Sequence, residues 1–589
     1  MPLIRPEFQK LRGYLRPHGE GKGQAMARLH LNEAAQGWPE AARQALLARL
    51  GNLPFQLYPE RQEELTARLT AALGAPAGGV LLGPSSGALL DLVVLAGAEP
   101  GSAIAYPDPG FSLYPALTAR HGVRPVRVPV GDGFPLDPWL RLLEQDPPRQ
   151  VWITLPNNPT GAWLAPAELE PLLQAAAALP DPPLVVLDEA YAEFAPLTHR
   201  LAVDRYPNLL LLRTFSKALA SAGWRLGYLI GAPELIAPLA ALQLPYSLPA
   251  PALEALDVAL DFKAAFARQA RALPERRERL AAALGDRVCA RSAANFLFLR
   301  PDPAPLLREA GIQSRALPEL DAGRITVGTE EETLRVAEAF GATLAPPVPQ
   351  TPRRLLVLDM DGVMVDGDPG FMNAVAKALG ELAPGLPWMD AHYLAFKHVG
   401  GFNNDYRVCA AALALAECGE LDSLWSAQTT GFPHLEERIQ ALEPRCAEVV
   451  TKWYKSVPPP DEPLVNLGEL EALGWDLAVL TGRNDEEMDT GFGVLGFRLP
   501  AVADRAPHLR KPLPGGLLQL ADAFQAEQIV FVGDTRDDAQ ALRAAREARP
   551  DLVWTFAAVG PNRDTIAREG DLRAASLRAL LPILKGARP

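Results

Sequence analysis

The sequence predicts an α/β fold in two successive units, and three observations lead to it. Short continuous apolar runs alternate with helical patterns, which is typical of parallel strands covered by helices on both faces. Residues 345–352 hold four prolines in eight positions, a pattern that neither a helix nor a central strand can continue. Polar and charged residues directly follow several of the apolar runs, where α/β folds place their ligands.

The composition is that of a globular protein. The chain has 589 residues, of which 48% are hydrophobic and 22% are charged. A net charge of −13, from 57 Lys and Arg against 70 Asp and Glu, argues against nucleic-acid binding. Four scattered cysteines without a CxxC pair exclude a disulfide scaffold and a structural zinc site. With no signal peptide and no apolar stretch of about 18 residues, a cytoplasmic protein without a membrane partner is expected.

The proline-rich segment 346–352 is interpreted as a semi-rigid linker between residues 1–345 and residues 353–589. Apolar runs that predict buried parallel strands occur on both sides of it. In the first unit they are Val151–Leu155, Leu184–Leu187, Leu209–Arg213 and Gly227–Ile230. In the second unit they are Leu355–Leu358, Leu477–Leu480 and Ile529–Val532.

Four groups of polar residues in the first unit follow these runs: Asn157–Gly161, Asp188–Tyr191, Thr214–Lys217 and Arg225. Each residue type suits one part of pyridoxal phosphate. Lys217 can form the Schiff base with the aldehyde if its surroundings lower its pKa. Asp188 can pair with the pyridinium nitrogen and keep the ring protonated, so that the ring accepts the electrons of a substrate carbanion.

The other polar residues predict contacts to the rest of the same cofactor. Asn158 and Tyr191 can hydrogen-bond to the ring hydroxyl. A second set can hold the phosphate through hydroxyl groups, a two-donor guanidinium and the N-terminus of a helical run. This second set consists of Thr214, Ser216, Arg225, Ser85 and Ser86.

With these motifs the first unit resembles fold-type I enzymes of the aspartate-aminotransferase type over about residues 5–344, and most closely the histidinol-phosphate aminotransferases. Further matching segments are Leu31–Glu33, Tyr58–Pro59, Ala294–Phe296 and Arg324–Thr329. The resemblance implies a pyridoxal-phosphate-dependent aminotransferase in which Asn32 and Arg324 contact the substrate, Arg324 at its acidic end. It also implies a homodimer, because Tyr58 would reach the cofactor phosphate of the neighbouring subunit.

Three positions differ from the family pattern. Phe111 falls where the family usually stacks a tyrosine on the cofactor ring. The family's Asn-Glu-Asn-Pro is Asn32-Glu-Ala-Ala35 here, and its Gly-Ser-Asp-Glu is Gly83-Pro-Ser-Ser86. Because the cofactor residues are present, transamination is predicted, whereas the altered substrate-side loops leave the substrate open.

The second unit begins with an apolar strand that ends at Asp359, with Asp361 two residues on. The first carboxylate can attack phosphorus, and the second can act as general acid and then as base. Thr481 can bind a phosphate oxygen, and Lys511 can neutralise the charge of the aspartate and the phosphate. Asp534 ends another strand, and with Asp359 and the backbone carbonyl of Asp361 it makes an oxygen-rich site suited to Mg2+.

These four motifs resemble the haloacid-dehalogenase phosphatases over about residues 353–585, which implies a HAD-like Rossmannoid domain. Asp537 and Asp538 are expected beside the metal site. The mostly helical insertion at about 364–473 corresponds to the cap of that superfamily. Within it, Gly400–Asp405 is either an ordinary loop or a loop that faces the substrate, with Asn403, Asn404 and Asp405 as the candidate contacts.

The two resemblances together predict a function. Histidine biosynthesis contains a transamination that makes L-histidinol phosphate from imidazole acetol phosphate and glutamate, and the next step removes the phosphate. A chain with both kinds of enzyme fits these consecutive reactions. One alternative is an aminotransferase for another amino acid joined to an unrelated phosphatase, such as one for phosphoglycolate. Another is a non-catalytic pyridoxal-binding regulator, against which the acidic charge and the lack of a helix-turn-helix before residue 30 argue.

Overall fold

The computed structural model describes residues 27–348, 351–366, 368–399, 402, 405–426, 432–456 and 462–586. These residues form two compact units, and the chain passes from one to the other between Thr351 and Pro352. Pro349 and Gln350 of the predicted linker lie outside the described residues, and so do residues 1–26. None of the helices described has both the length and the apolar character needed to cross a membrane.

Twelve strands are described in the first unit. They are β1 Ala27–Arg28, β2 Val80–Gly83, β3 Ala103–Asp108, β4 Arg124–Pro129, β5 Gln150–Thr154, β6 Leu184–Asp188, β7 Leu209–Thr214, β8 Gly227–Ile230, β9 Phe296–Leu299, β10 Ile312–Gln313, β11 Arg315–Leu317 and β12 Ala322–Thr326. Seven of them form the main sheet, in the order β2–β8–β7–β6–β5–β3–β4. A second, antiparallel sheet has the order β11–β12–β9, and β1 pairs with β10.

Strands β3 to β7 run parallel, and the polar residues that follow them therefore meet at one edge of the sheet. The prediction of a parallel strand was wrong for Gly227–Ile230, which runs antiparallel to both β2 and β7. All four of its residues are buried, so its apolar pattern is the same for either strand direction.

The helices of the first unit pack against these sheets. They are α1 Glu40–Gly51, α2 Gln62–Ala72, α3 Ser86–Gly97, α4 Leu113–His121, α5 Asp137–Gln145, α6 Pro166–Ala177, α7 Pro233–Leu242, α8 Ala250–Asp261, α9 Lys263–Leu284, α10 Ala304–Glu309 and α11 Glu330–Ala339. Helix α3 starts directly after β2, and the Ser85 hydroxyl caps it by accepting the Ala88 N–H at 3.2 Å.

The second unit has a six-stranded parallel sheet. The strands described in this unit are β13 Arg354–Leu358, β14 Val365–Asp366, β15 Glu462–Pro463, β16 Asp476–Leu480, β17 Ala501–Val502, β18 Gln528–Gly533, β19 Val553–Ala558 and β20 Leu572–Arg573. The order of the sheet is β17–β16–β13–β18–β19–β20. Since β13 lies between β16 and β18, the residues that follow these three strands, Asp359, Thr481 and Asp534, come together at one edge.

The helices of the second unit include a separate group inside the predicted cap. They are α12 Asp368–Leu382, α13 Asp390–Val399, α14 Asp405–Glu417, α15 Glu436–Ser456, α16 Leu467–Glu471, α17 Asp485–Leu495, α18 Gly515–Ala523, α19 Arg536–Ala548, α20 Arg563–Ile566 and α21 Leu577–Gly586. Helices α12 to α15 share one apolar core. The antiparallel pair β14–β15 lies where the chain enters and leaves this group. Asn403 and Asn404 lie outside the described residues.

Candidate active sites

Lys217 lies just beyond the end of β7, with part of its surface exposed and its amino group enclosed by protein. Nζ donates a hydrogen bond to the Leu31 carbonyl at 3.0 Å. Burial of the amine, assisted by the positive charges of Arg324 and Arg225, lowers the pKa of Lys217 to about 7. A substantial fraction of the amine is therefore neutral near pH 7, which is the form that attacks an aldehyde.

Asp188 ends β6 and is buried with Tyr114 against it. The Tyr114 hydroxyl donates to Asp188 Oδ2 at 2.9 Å and shares a hydrogen bond of 2.6 Å with the Thr154 hydroxyl. The Ala190 N–H donates to Asp188 Oδ1 at 3.1 Å. Burial raises the pKa of Asp188 to about 6, and these hydrogen bonds oppose the rise. A proton on a nearby ring nitrogen would favour the ionised carboxylate further.

Asn158, Tyr191, Asn32 and Arg324 form one hydrogen-bonded group. The Tyr191 hydroxyl accepts from Asn158 Nδ2 at 3.3 Å and from Asn32 Nδ2 at 3.0 Å. Arg324 Nη1 donates to Asn158 Oδ1 at 2.5 Å. The Tyr191 ring centre lies 5.8 Å from Lys217 Nζ. The structure therefore brings the residues predicted for the ring and for the substrate together beside the amine.

Thr214 and Ser216 lie at a polar corner that the N-terminus of α3 completes. Their hydroxyl oxygens are 3.0 Å apart. Thr214 pairs with Gly227 across the β7–β8 ladder. A Cβ atom on Gly227 would lie only 2.6 Å from the Ser86 backbone nitrogen, so glycine is what allows β8 to approach the start of α3. Hydroxyl groups beside a helix N-terminus are suited to bind a phosphate.

Three predicted cofactor residues make no hydrogen bond to these groups among the described residues. Arg225 is exposed, although its charge acts on the nearby amine. Phe111 is half-buried and packs edge-on against Tyr114, with ring centres 5.5 Å apart. Tyr58 is 72% exposed and stacks on Tyr246 at 4.4 Å. Within a single chain, Tyr58 is therefore not part of the buried cofactor site.

The residues of the first unit fit pyridoxal phosphate. The site contains an enclosed amine of lowered pKa for the aldehyde and a buried acid for the ring nitrogen. It also contains hydroxyl groups at a helix N-terminus for the phosphate. When bound, this cofactor would supply an electron sink for the carbanion of an amino acid.

Asp359 follows β13 in the second unit and is almost completely buried beside Lys511. Lys511 Nζ lies 2.8 Å from Asp359 Oδ2 and 2.7 Å from Asp538 Oδ1. Burial raises the pKa of Asp359 to about 7, against the opposing charge of Lys511. Burial alone would lower the pKa of Lys511, but the two aspartates raise it above its usual value. Lys511 therefore remains a cation at this site.

Asp361 is held by Arg483, a contact that was not predicted. Arg483 Nη2 donates to Asp361 Oδ1 at 2.6 Å, and Nε donates to Oδ2 at 3.0 Å. The guanidinium is buried, 4.9 Å from the Phe371 ring centre, and Nη1 donates to the Tyr454 hydroxyl at 3.1 Å. Arg483 thus fixes the carboxylate, and the Asp361 backbone carbonyl is the atom proposed to contact a metal.

Asp359, Asp534 and Asp538 offer a carboxylate oxygen each, and these oxygens lie within 4.8 Å of one another. Oxygen ligands at this spacing suit a hard cation such as Mg2+. Asp538, expected only beside the metal, is thus a member of the group itself. Gly362 has a φ of +70°, and a Cβ atom there would lie 2.2 Å from Asp534 Oδ2. Thr481 is buried, and its hydroxyl accepts the Arg483 N–H at 3.1 Å.

A cavity of about 480 Å³ opens onto Asp359, Asp361 and Asp534. The charged side chains on its wall are mostly acidic. The carboxylates are Asp359, Asp361, Asp366, Asp405, Glu487 and Asp534, and the arginines are Arg483 and Arg536. Asp405, predicted as a substrate contact, lines this cavity at the start of α14. Glu487 is buried on α17, and burial raises its pKa to about 7.

Sequence reasoning gave no role to Tyr114, Arg483 or Glu487. Tyr114 stands in the same segment as Phe111, and Arg483 stands two residues after Thr481, so proximity to these motifs was the available signal. Glu487 completes an N-terminal capping box with Asn484. That capping pattern is sufficient to explain a glutamate at this position, so nothing in the sequence marks Glu487 as a site residue.

Two family models match the chain, one in each unit. Residues 26–340 match the model of the class I and II aminotransferases. Residues 354–546 match the model of the haloacid dehalogenase-like hydrolases.

Curated relatives and a solved structure cover the first part. A histidinol-phosphate aminotransferase of Cupriavidus pinatubonensis is 35% identical over 358 residues, which are 58% of this chain and 96% of that protein. One of Synechococcus sp. (strain JA-2-3B'a(2-13)) is 34% identical, over 57% of this chain and 97% of its own. The crystal structure of the Sinorhizobium meliloti histidinol-phosphate aminotransferase with pyridoxal-5'-phosphate has 25% identity and a TM-score of 0.51, over 58% of this chain and 96% of that one.

Proposed function

The chain belongs to the class I and II aminotransferases and carries a haloacid dehalogenase-like hydrolase domain, and on that premise we propose a bifunctional enzyme of histidine biosynthesis. The first unit transfers the amino group of glutamate to imidazole acetol phosphate. The second unit hydrolyses the resulting L-histidinol phosphate with Mg2+. The observation that carries the first assignment is the enclosed amine of Lys217, whose pKa is about 7, beside the Asn158–Arg324 group.

In the aminotransferase site, Lys217 moves the proton at the substrate α-carbon, for which a lowered pKa is suitable. Asp188 holds the ring nitrogen of the cofactor protonated. Tyr191 and Asn158 orient the ring through its hydroxyl. Arg324 binds the carboxylate of glutamate in one half-reaction and the phosphate of the other substrate in the second, since its planar guanidinium can pair with either anion.

In the phosphatase site, an Asp359 oxygen attacks phosphorus and the ester P–O bond breaks. Asp361, which first has to take up a proton in place of its ion pair with Arg483, gives that proton to the departing alkoxide, so the product leaves as an alcohol. Asp361 then takes a proton from water, and the hydroxyl attacks the aspartyl phosphate to release inorganic phosphate and restore Asp359. Lys511 and the Thr481 hydroxyl bind the phosphoryl oxygens. Mg2+ would be held by Asp359, Asp534, Asp538 and the Asp361 carbonyl, where it would neutralise phosphoryl charge.

The curated relatives support histidinol phosphate as the product of the first unit, and a phosphatase in the same chain is suited to consume it. The decisive experiment supplies full-length enzyme with glutamate, imidazole acetol phosphate and Mg2+. Production of 2-oxoglutarate and of inorganic phosphate is measured separately. Equal amounts of both support the paired reactions, whereas 2-oxoglutarate without phosphate would remove the second assignment alone.

The homodimer is part of the same proposal. Tyr58 is exposed on its own chain, where it stacks on Tyr246, and other large apolar side chains of the first unit are exposed too. They include Leu47, Phe55, Leu57, Leu244 and Tyr246. A second copy that covers this surface would bury them and place Tyr58 near the cofactor phosphate of its neighbour. Analytical ultracentrifugation of the wild type and of Phe55→Asp tests this arrangement.

A further inference from the structure

The cavity of the second unit contains more acid than phosphoryl transfer requires. Asp359 faces Lys511, Asp361 is paired with Arg483, and Asp534 belongs to the carboxylates suited to a metal. Asp366, Asp405 and Glu487 line the same cavity and have no part in that set. Three further carboxylates would repel a phosphate dianion, so they need a different explanation. Asp366 is exposed to solvent, whereas Glu487 is buried.

Only one of the two Glu487 carboxylate oxygens has a hydrogen-bond partner among the described residues. Oε2 accepts the Asn484 N–H at 3.1 Å and caps α17. Oε1 has no hydrogen-bond partner among the described residues, although the side chain is only 3% exposed. Leaving a buried acceptor without a donor is unfavourable, which indicates that a donor arrives from outside the protein.

The guanidinium of Arg483 lies near Glu487, but it donates its hydrogen bonds to other groups. Arg483 uses Nε and Nη2 on Asp361, and Nη1 donates to the Glu487 main-chain carbonyl at 2.9 Å rather than to its carboxylate. Asp405 accepts from the Tyr393 hydroxyl at 2.6 Å. The charges that Asp361 and Asp405 bring close to Glu487 are negative, so a cationic donor is the ligand group that this end of the cavity favours.

We propose that Glu487, with Asp405 beside it, binds a protonated amine of the phosphatase substrate. The inference rests on the proposed phosphatase function and narrows it to phosphomonoesters whose alcohol carries a cationic nitrogen near the ester oxygen. The charge of Asp361 acts on the Glu487 carboxyl group, so the subsite lies near the general acid. L-Histidinol phosphate, the product proposed for the first unit, belongs to this class.

The test uses two substrates of nearly equal size, 2-aminoethyl phosphate and propyl phosphate, with full-length enzyme and Mg2+. The measured quantity is the ratio of their kcat/KM values. A charge-assisted hydrogen bond predicts a preference of the wild type for the amine of about 10- to 100-fold. Glu487→Gln should remove most of this preference, since glutamine keeps the size and can still accept the Asn484 N–H, but lacks the charge. Glu486→Gln changes an exposed neighbour on the same helix and should leave the ratio unaltered.

The outcomes separate the two levels of the proposal. If the wild type hydrolyses both esters equally well, amine recognition is wrong while the phosphatase function stands. If Glu487→Gln lowers kcat/KM for both esters by the same factor, the residue has only a positioning role, and the inference is again overturned. If the wild type releases phosphate from neither ester nor from L-histidinol phosphate, the proposed phosphatase function itself fails.

Discussion

Tyr114 donates a hydrogen bond of 2.9 Å to Asp188, and both side chains are buried. The bond favours the ionised form of a carboxyl group whose pKa burial raises to about 6. Tyr114 thus acts on the cofactor site through Asp188, from the core of the first unit.

Tyr114→Phe should shift the acid limb of the transamination pH profile upward. The carboxylate is the active form of Asp188, and loss of the donor raises its pKa further above about 6, so activity is lost at a higher pH than in the wild type. A bond of about 1–2 kcal/mol corresponds to a shift of roughly one pH unit. The measurement is kcat against pH.

Tyr106→Phe is the matched control, because the buried Tyr106 hydroxyl makes no hydrogen bond among the described residues. An identical pH profile for Tyr114→Phe and the wild type would show that the tyrosine does not tune the acid.

Lys217→Ala should abolish both transamination and the visible absorbance of the bound cofactor, while phosphate release continues. The reason is that the two chemistries use separate residues in separate units. Absorbance spectra and both product assays on one preparation test it. Lys263 is the other described lysine of the first unit, and Lys263→Ala should retain colour and activity. Transamination that survives in Lys217→Ala would exclude Lys217 as the catalytic amine.

Asp359→Asn should reduce phosphate release by roughly 10³-fold or more, because an amide cannot serve as the nucleophile. Transamination by the same protein should be unchanged and serves as the folding control. Near wild-type release of phosphate in this variant would rule out the aspartyl-phosphate chemistry.

Asp534→Asn should raise the Mg2+ concentration needed for half-maximal phosphatase activity by about 10- to 100-fold, since one charged ligand is lost. The measurement is a Mg2+ titration after removal of metal with a chelator. Asp537 is buried close by but does not belong to the converging carboxylates, so Asp537→Asn should change the titration much less. Equal changes in the Mg2+ requirement of the two variants would show that the cation does not bind at Asp534.

The sequence was sufficient for the fold class, and the family matches confirm it for both units. Parallel strands bring their ends to one edge, which is why Asn158 and Tyr191 could be expected near Lys217 before any coordinates. The direction of Gly227–Ile230 could not be predicted, because a short strand buried on both faces has no directional pattern. The roles of the site residues remain predictions.

The unpredicted contacts depend on residues far apart in the chain. Tyr114 and Asp188 are separated by 74 positions, and Arg483 and Asp361 by 122. The spacing of residues within one helix or strand therefore cannot predict either contact. Glu487 already satisfies a local rule as a capping residue, so nothing in the sequence requires its second carboxylate oxygen to face a cavity.

A single methyl group added at Gly362 is expected to affect one of the two activities and not the other. Alanine there would meet Asp534 Oδ2 at 2.2 Å and would have to adopt a φ of +70°. Only the second unit contains this contact. Under the proposed function, an allele with Gly362→Ala is therefore expected to leave amino transfer intact and to interrupt dephosphorylation, so that cells that depend on this protein accumulate the phosphorylated intermediate instead of lacking it.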